Sequence, residues 1–249
     1  MSTTSQNSAG DHRFPRGLAE ILGGDGARTG LSHLEKAAWE IRVEPRPFVT
    51  WLTALLEDDA KVAEIAGRSY WHPNGFAKLV LHTAAEPEFR IRLHVWPESD
   101  VVSPGESNPH SHRWEFASHI LVGTGMHMVE FTEVTEGGKP FRRYRYGADP
   151  ANPAALVAAG EVRLRRTRSP HVVRGEVYSC DTDVVHTVRP IDARLTATVV
   201  IQGPRRTPTT VVYCEPGESD DQPNGVLSEA DFRELVTAVL AASEPEAAS

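Results

Sequence analysis

The stretch Asn108-Pro109-His110-Ser111-His112-Arg113-Trp114-Glu115-Phe116, running on to Gly123, decides the fold. Side chains alternate between faces along an extended strand, so His110 and His112 point to the same side and can hold one ion between them. A third imidazole would complete a facial set. His186, in the β-branched run Val184-Val185-His186-Thr187-Val188, is the best-placed candidate, with His119 and His127 as alternatives. Three protein ligands leave coordination positions open to water, oxygen or substrate. The 11 histidines of the chain supply the competing explanation, because an HxH pair on an edge strand is also ordinary solvated surface.

Outward from this stretch the pattern is that of a β protein. From Phe76 the hydrophobic period is two: Phe76–Thr83 and Phe89–Trp96 alternate, and Ala84-Ala85-Glu86-Pro87 joins them as a hairpin connection. Phe89, Ile91, Leu93 and Val95 share one face of the second strand, and Arg90, Arg92, His94 and Trp96 share the other. Further strands are expected at Trp114–Val122, Gly125–Thr132, Pro140–Tyr146, Glu161–Arg166, His171–Tyr178, Val184–Arg189, Arg194–Ile201 and Thr209–Cys214. Turn signals such as Gly123-Thr124-Gly125 and Glu136-Gly137-Gly138 separate them. Many short strands at this spacing predict an all-β antiparallel sandwich or barrel and argue against alternating βα units. The Ala/Pro-rich insert from Gly147 to Gly160 predicts a short helix around Ala154–Ala159.

Helices flank the strands. Ser32 and Glu35 have capping-box spacing, and Leu34, Ala38 and Ile41 recur at helical intervals until Pro45. Pro47 opens a second helix whose apolar stripe runs from Phe48 through Trp51, Leu52 and Leu55 to Val62 and Ala66, ending before Gly67. Ser228 caps a last helix carrying Phe232, Leu235, Val236, Val239 and Leu240. Residues 1–30 read as a flexible arm, 31–240 as one domain with its barrel at about 76–214, and 241–249 as a fraying tail.

A net charge of −8 leaves no basic excess to neutralise phosphates, which argues against nucleic acid and membrane surfaces and for a small-molecule partner. The arginines at 142, 143, 145, 163, 165, 166 and 168 form a basic run, mostly a solvated outer face with one or two able to meet a carboxylate. Cys180 and Cys214 make neither a disulfide framework nor a CxxC knuckle, so a reducing cytoplasm is the expected compartment. No stretch reaches the roughly 18 uninterrupted apolar residues of a membrane span. A homodimer is left open.

HxH entering a strand, a Gly about a dozen residues later and a lone His on a late strand together resemble the cupin superfamily. Gly105, His110, His112 and Gly123 match its first motif approximately, and Gly175-Glu176-Val177-Tyr178 with His186 match the second more loosely. Phe116 stands where that family has a glutamate; Glu115, one position away, is turned off the His110/His112 face by strict alternation, leaving three histidines. Within the superfamily, residues from about Phe76 to Pro204 are most similar to cysteine-dioxygenase-type proteins. The resemblance implies a double-stranded β-helix, or jelly-roll, barrel with the N- and C-terminal helices packed outside. It also implies ferrous iron on His110, His112 and His186. Imidazole accepts zinc, nickel or manganese as well.

By the same likeness the family's carboxylate-binding arginine falls at Lys78, and its Trp-ending strand falls on Phe89–Trp96, which puts Arg92, His94 and Trp96 on the cavity face. The family's late Ser-His-Tyr series corresponds here to Thr198, Val200 and Gln202, and its cross-link cysteine is absent, so a thiol substrate is not implied. The expected function is a mononuclear non-haem iron(II) dioxygenase or hydroxylase acting with O2 on a small polar, carboxylate-bearing metabolite. Lys78 or Arg92 would anchor the acid beside Trp96, His94 would serve as a base, and Tyr178 as an acid or hydrogen-bond donor. The alternative is a cupin that is not an oxygenase: a metal-dependent isomerase or lyase, or a ligand-binding module.

Overall fold

Alternating sequence becomes alternating layers in the computed structural model, which describes residues 14–23, 29–148, 152, 155–218 and 223–243. Four helices lead: α1 (Arg16–Gly23), α2 (Leu31–Val43), α3 (Arg46–Leu56) and α4 (Asp59–Arg68). The strands follow as β1 (Tyr70–His72), β2 (Phe76–Ala85), β3 (Glu88–Trp96), β4 (Glu106–His110), β5 (Trp114–Val122), β6 (Gly125–Val134) and β7 (Lys139–Tyr146). They continue as β8 (Leu156–Arg168), β9 (His171–Val173), β10 (Val177–Cys180), β11 (Val185–Pro190), β12 (Thr196–Arg205), β13 (Thr210–Cys214) and β14 (Gly225–Val226), before α5 (Glu229–Ser243).

One seven-stranded sheet has the order β10-β5-β12-β3-β2-β1-β14, and the other β11-β4-β13-β7-β8-β6-β9, with β11 also pairing β6. That last pairing closes β11, β4, β13, β7, β8 and β6 into a ring. All strand pairs are antiparallel. From β3 to β6, and again from β10 to β13, the chain switches sheet at every strand, which is the winding of a double-stranded β-helix. The fold is therefore the expected all-β barrel with helices flanking it.

The largest core lies outside the barrel. Leu34, Ile41, Phe48, Leu52, Val62, Ile65, Phe232 and Val236 of the helices bury against Leu79, Phe89, Leu93, Val199 and Ile201 of the first sheet. Each such side chain contributes about 1.5–3 kcal/mol relative to exposure. This explains why β12 is buried on both faces from Thr196 to Pro204: one face meets the helices and the other meets the barrel interior. On β3 the split is as the alternation requires, with Phe89, Ile91, Leu93 and Val95 in the outer core.

Several expectations are corrected. Residues 16–23 are helix α1 with Leu18 and Leu22 buried, so the N-terminal arm does not extend through them; 1–13 and 24–28 lie outside the described residues. Helix α2 starts at Leu31 with Gly30 as its cap, and the Gly30 N–H donates to His33 Nδ1 at 3.3 Å, in place of a Ser32–Glu35 box. The single helix expected from Pro47 to Ala66 is two, because Asp58 caps α4 by accepting from the Lys61 N–H at 3.0 Å and stops propagation from α3. Of the helix expected around Ala154–Ala159, residue 154 lies outside the described residues, and from Leu156 the chain is instead the start of β8, where pairing with β7 (Tyr146 opposite Leu156) overrides the alanines' helical preference. The strand expected over His171–Tyr178 is split at Gly175 into β9 and β10, which belong to different sheets. The short strands β1, β4 and β14 were not foreseen.

Candidate metal centre and barrel cavity

The HxH pair does not sit along one strand. His110 ends β4 in one sheet, and His112 lies in the three-residue stretch before the chain enters β5 of the other. Convergence comes from this crossing, not from strand alternation. Gly105 sets the crossing close to β11: it has φ +61°, and a Cβ there would lie 2.6 Å from Arg189 Cα and against the Val188 carbonyl. Only glycine suits such a backbone and such an approach. Register then places His186 of β11 opposite His110 of β4.

The result is a compact cluster in which one ring nitrogen from each of His110, His112 and His186 lies within 4.8 Å of the others. His112 Nε2 and His186 Nε2 are 2.9 Å apart. Two nitrogens each about 2.0–2.1 Å from one ion at right angles stand about 3 Å apart, so this spacing suits shared ligation. His110 Nδ1 donates to the Asn108 carbonyl at 2.9 Å, which fixes the tautomer and leaves Nε2 with a lone pair. That Nε2 is buried without a hydrogen-bond partner. Burial, reinforced by the neighbouring His110, lowers the His186 pKa to about 3. His112 is likewise held well below the ordinary imidazole range by burial, then by His110 and His186. Neutral imidazoles are the ligating form. The donor set therefore fits a divalent ion.

The cluster lines a cavity of about 330 Å³ inside the barrel. Arg92, His94 and Trp96 face it from β3, with Trp96 stacked on Phe76 at 4.6 Å between ring centroids. The Arg92 guanidinium lies 5.3 Å over the Trp114 ring, and its Nε is buried with no hydrogen-bond partner. His94 Nε2 and Trp96 Nε1 are similarly unpartnered, and burial, then Lys78, pushes the His94 pKa well down. Tyr178 also lines the cavity, its ring edge-on to Phe116, and burial raises its pKa, so the phenol stays protonated.

Lys78 requires a correction. It reaches the cavity, but its Nζ is paired with Glu106 Oε1, so it is not an uncompensated cation waiting for a ligand. Glu106 was missed by the sequence reasoning. It stands on β4 two alternations before His110, hence on the same face, and its Oε2 is 3.7 Å from His110 Nε2. Burial alone would raise its pKa, but Lys78 and then His110 hold it well below the usual carboxylate value. The available signal was the i, i+4 spacing, hidden because Pro109 reads against a strand.

The other candidates lie elsewhere. Glu115 points away from the histidines and pairs with Arg206 at 2.8 Å. His119 contacts the Glu176 carbonyl, and His127 meets Ser169 at 2.8 Å and packs on His171; neither joins the cluster. In the basic run, Arg143 meets Glu133 at 3.0 Å and Arg168 meets Glu130 at 3.2 Å, both on the outside.

No family model matches the chain, and no curated protein matches it. Similar solved structures include a recombinant oxalate oxidase in complex with glycolate (14% identity, TM-score 0.32, covering 56% of this chain and 55% of that one). Hydroxypropylphosphonic acid epoxidase from S. wedmorenis is another (10%, TM-score 0.32, 54% and 53%), as is the Schizosaccharomyces pombe Cnp3 cupin domain (11%, TM-score 0.28, 51% and 60%). The match spans a little over half the length of each. At such scores the fold rests on its own strand order. Among the described residues no helix is long and apolar enough to cross a membrane.

Proposed function

We propose that this protein is a mononuclear non-haem iron(II) oxygenase, a dioxygenase or hydroxylase, acting on a small carboxylate-bearing metabolite. The observation that carries the reading is the convergence of His110, His112 and His186 on a cavity that also holds a guanidinium with an unpartnered Nε. A divalent ion on those three nitrogens supplies Lewis acidity and, if it is iron, redox chemistry toward oxygen. Arg92 anchors the acid, its fork matching a carboxylate bidentately while Trp114 shields one side from water. Lys78 keeps Glu106 ionised and contributes no anchor of its own. The protonated Tyr178 hydroxyl can donate into the cavity, and the neutral His94 ring, whose Nε2 is unpartnered, can meet a ligand there by a hydrogen bond and stays uncharged.

A second reading, a metal-dependent lyase or isomerase, is favoured by Glu106, an ionised carboxylate facing the same cavity as the Tyr178 phenol, since a base and an acid together serve proton transfer on carbon. Protein purified anaerobically and loaded with iron separates the two. The oxygenase reading expects about one iron per chain and oxygen uptake dependent on an added acid. Turnover without oxygen uptake favours the lyase or isomerase. Failure to bind iron, zinc, nickel or manganese rejects both.

A further inference from the structure

Within this reading of the site, which it rests on, we infer that Arg92 and Gln202 form a two-point recognition element selecting acids that carry an amino or hydroxyl group beside the carboxylate. Gln202 lies on β12 and Arg92 on β3. In their antiparallel register Val200 stands opposite Arg92, so Gln202, two residues on, shares the inward face as its diagonal neighbour. Both side chains line the cavity. Gln202 is 4% exposed, and its Oε1 is buried with no hydrogen-bond partner, as is Arg92 Nε. Buried polar atoms left in this state cost free energy, and a ligand is the natural group to complete them.

The two atoms ask for opposite things. Arg92 Nε is a donor on a cation and takes an oxyanion; Gln202 Oε1 is an acceptor and takes an N–H or O–H. A bare carboxylate satisfies the first and sets oxygen against oxygen at the second. A 2-amino or 2-hydroxy acid satisfies both at once, with its anion on Arg92 and its donor on Gln202. Lys78 does not blur this preference, because Glu106 already holds it. Trp114 links the element to the metal centre: its ring lies under Arg92 at 5.3 Å and beside the His112 ring at 6.2 Å. The selected end of the substrate therefore sits one indole away from the histidines, leaving the other end for the metal.

The test uses the full chain loaded with zinc, which is redox-silent, and three probes of one skeleton: glutamate, 2-hydroxyglutarate and glutarate. Zinc binding is measured first, in the parent and in an H110A variant. Calorimetry should then give at least tenfold tighter binding of glutamate or 2-hydroxyglutarate than of glutarate. Gln202→Leu should abolish that difference, and Arg92→Met should weaken all three at least tenfold while zinc stays bound. Equal binding of the three probes, binding of none, or an undiminished preference in Gln202→Leu overturns the inference with the metal centre intact. Zinc that binds equally well to H110A, or not at all, overturns the underlying site reading instead.

Discussion

Lowering the pH from 7 to 5 should destabilise the metal-free protein by about 2 kcal/mol through His186 alone. His186 is 1% exposed, and burial takes its pKa from 6.5 to about 3. The folded protein keeps this imidazole neutral while the unfolded chain protonates it, so below 6.5 the unfolded state binds the extra proton. The stabilisation is complete above pH 6.5 and is lost as the pH falls toward 3. At about 1.4 kcal/mol per pH unit, the roughly 1.5 units between 6.5 and 5 give about 2 kcal/mol, and crossing the whole window gives about 5. His112 and His94 are shifted in the same direction, chiefly by burial, and add to the loss with the same sign. Glu106, whose carboxyl is held low, loses its contribution only below the ordinary carboxylate value of about 4.3 and stays out of this window. Against a typical domain stability of about 5–15 kcal/mol the change is easily measured. Urea unfolding followed by circular dichroism at pH 7, 6 and 5, with chelator present, should show the parent's midpoint falling. His186→Gln should flatten the slope by about one proton. A parent whose stability is flat from pH 7 to 5, or a variant with an undiminished slope, refutes the reasoning.

Two further substitutions probe the framework. Gly105→Ala puts a Cβ against the Val188 carbonyl in a left-handed backbone, so it should destabilise the protein by at least about 1–2 kcal/mol and weaken zinc binding by moving β4 off β11; unchanged calorimetric affinity would disconnect Gly105 from the centre. Phe232→Ala empties a fully buried position between α5 and the rest of the outer core and should cost about 3–5 kcal/mol in urea unfolding, and a loss below about 1 kcal/mol would mean that α5 is not docked there.

The amino-acid sequence by itself determined the strand-rich architecture, the split of β3 into an apolar face and a face bearing Arg92, His94 and Trp96, and the three histidines of the candidate centre. Each depends on short-range regularities: period-two alternation, glycine turns and the HxH spacing survive any packing of the chain. Tertiary structure alone decided who partners whom. Lys78 and Glu106 are 28 residues apart, and only the facing of the two sheets across the cavity shows that the lysine is already neutralised. A sequence separation of 91 hid the ion pair of Glu115 with Arg206, which removes Glu115 from the metal question. Pairing with β7 made a strand of the alanine-rich Leu156–Gly160, and the chain's passage from one sheet to the other brought His112 to His186 across 74 residues. Such contacts are fixed by register and sheet closure, which sum weak preferences over the whole fold, and no local window of residues carries that sum.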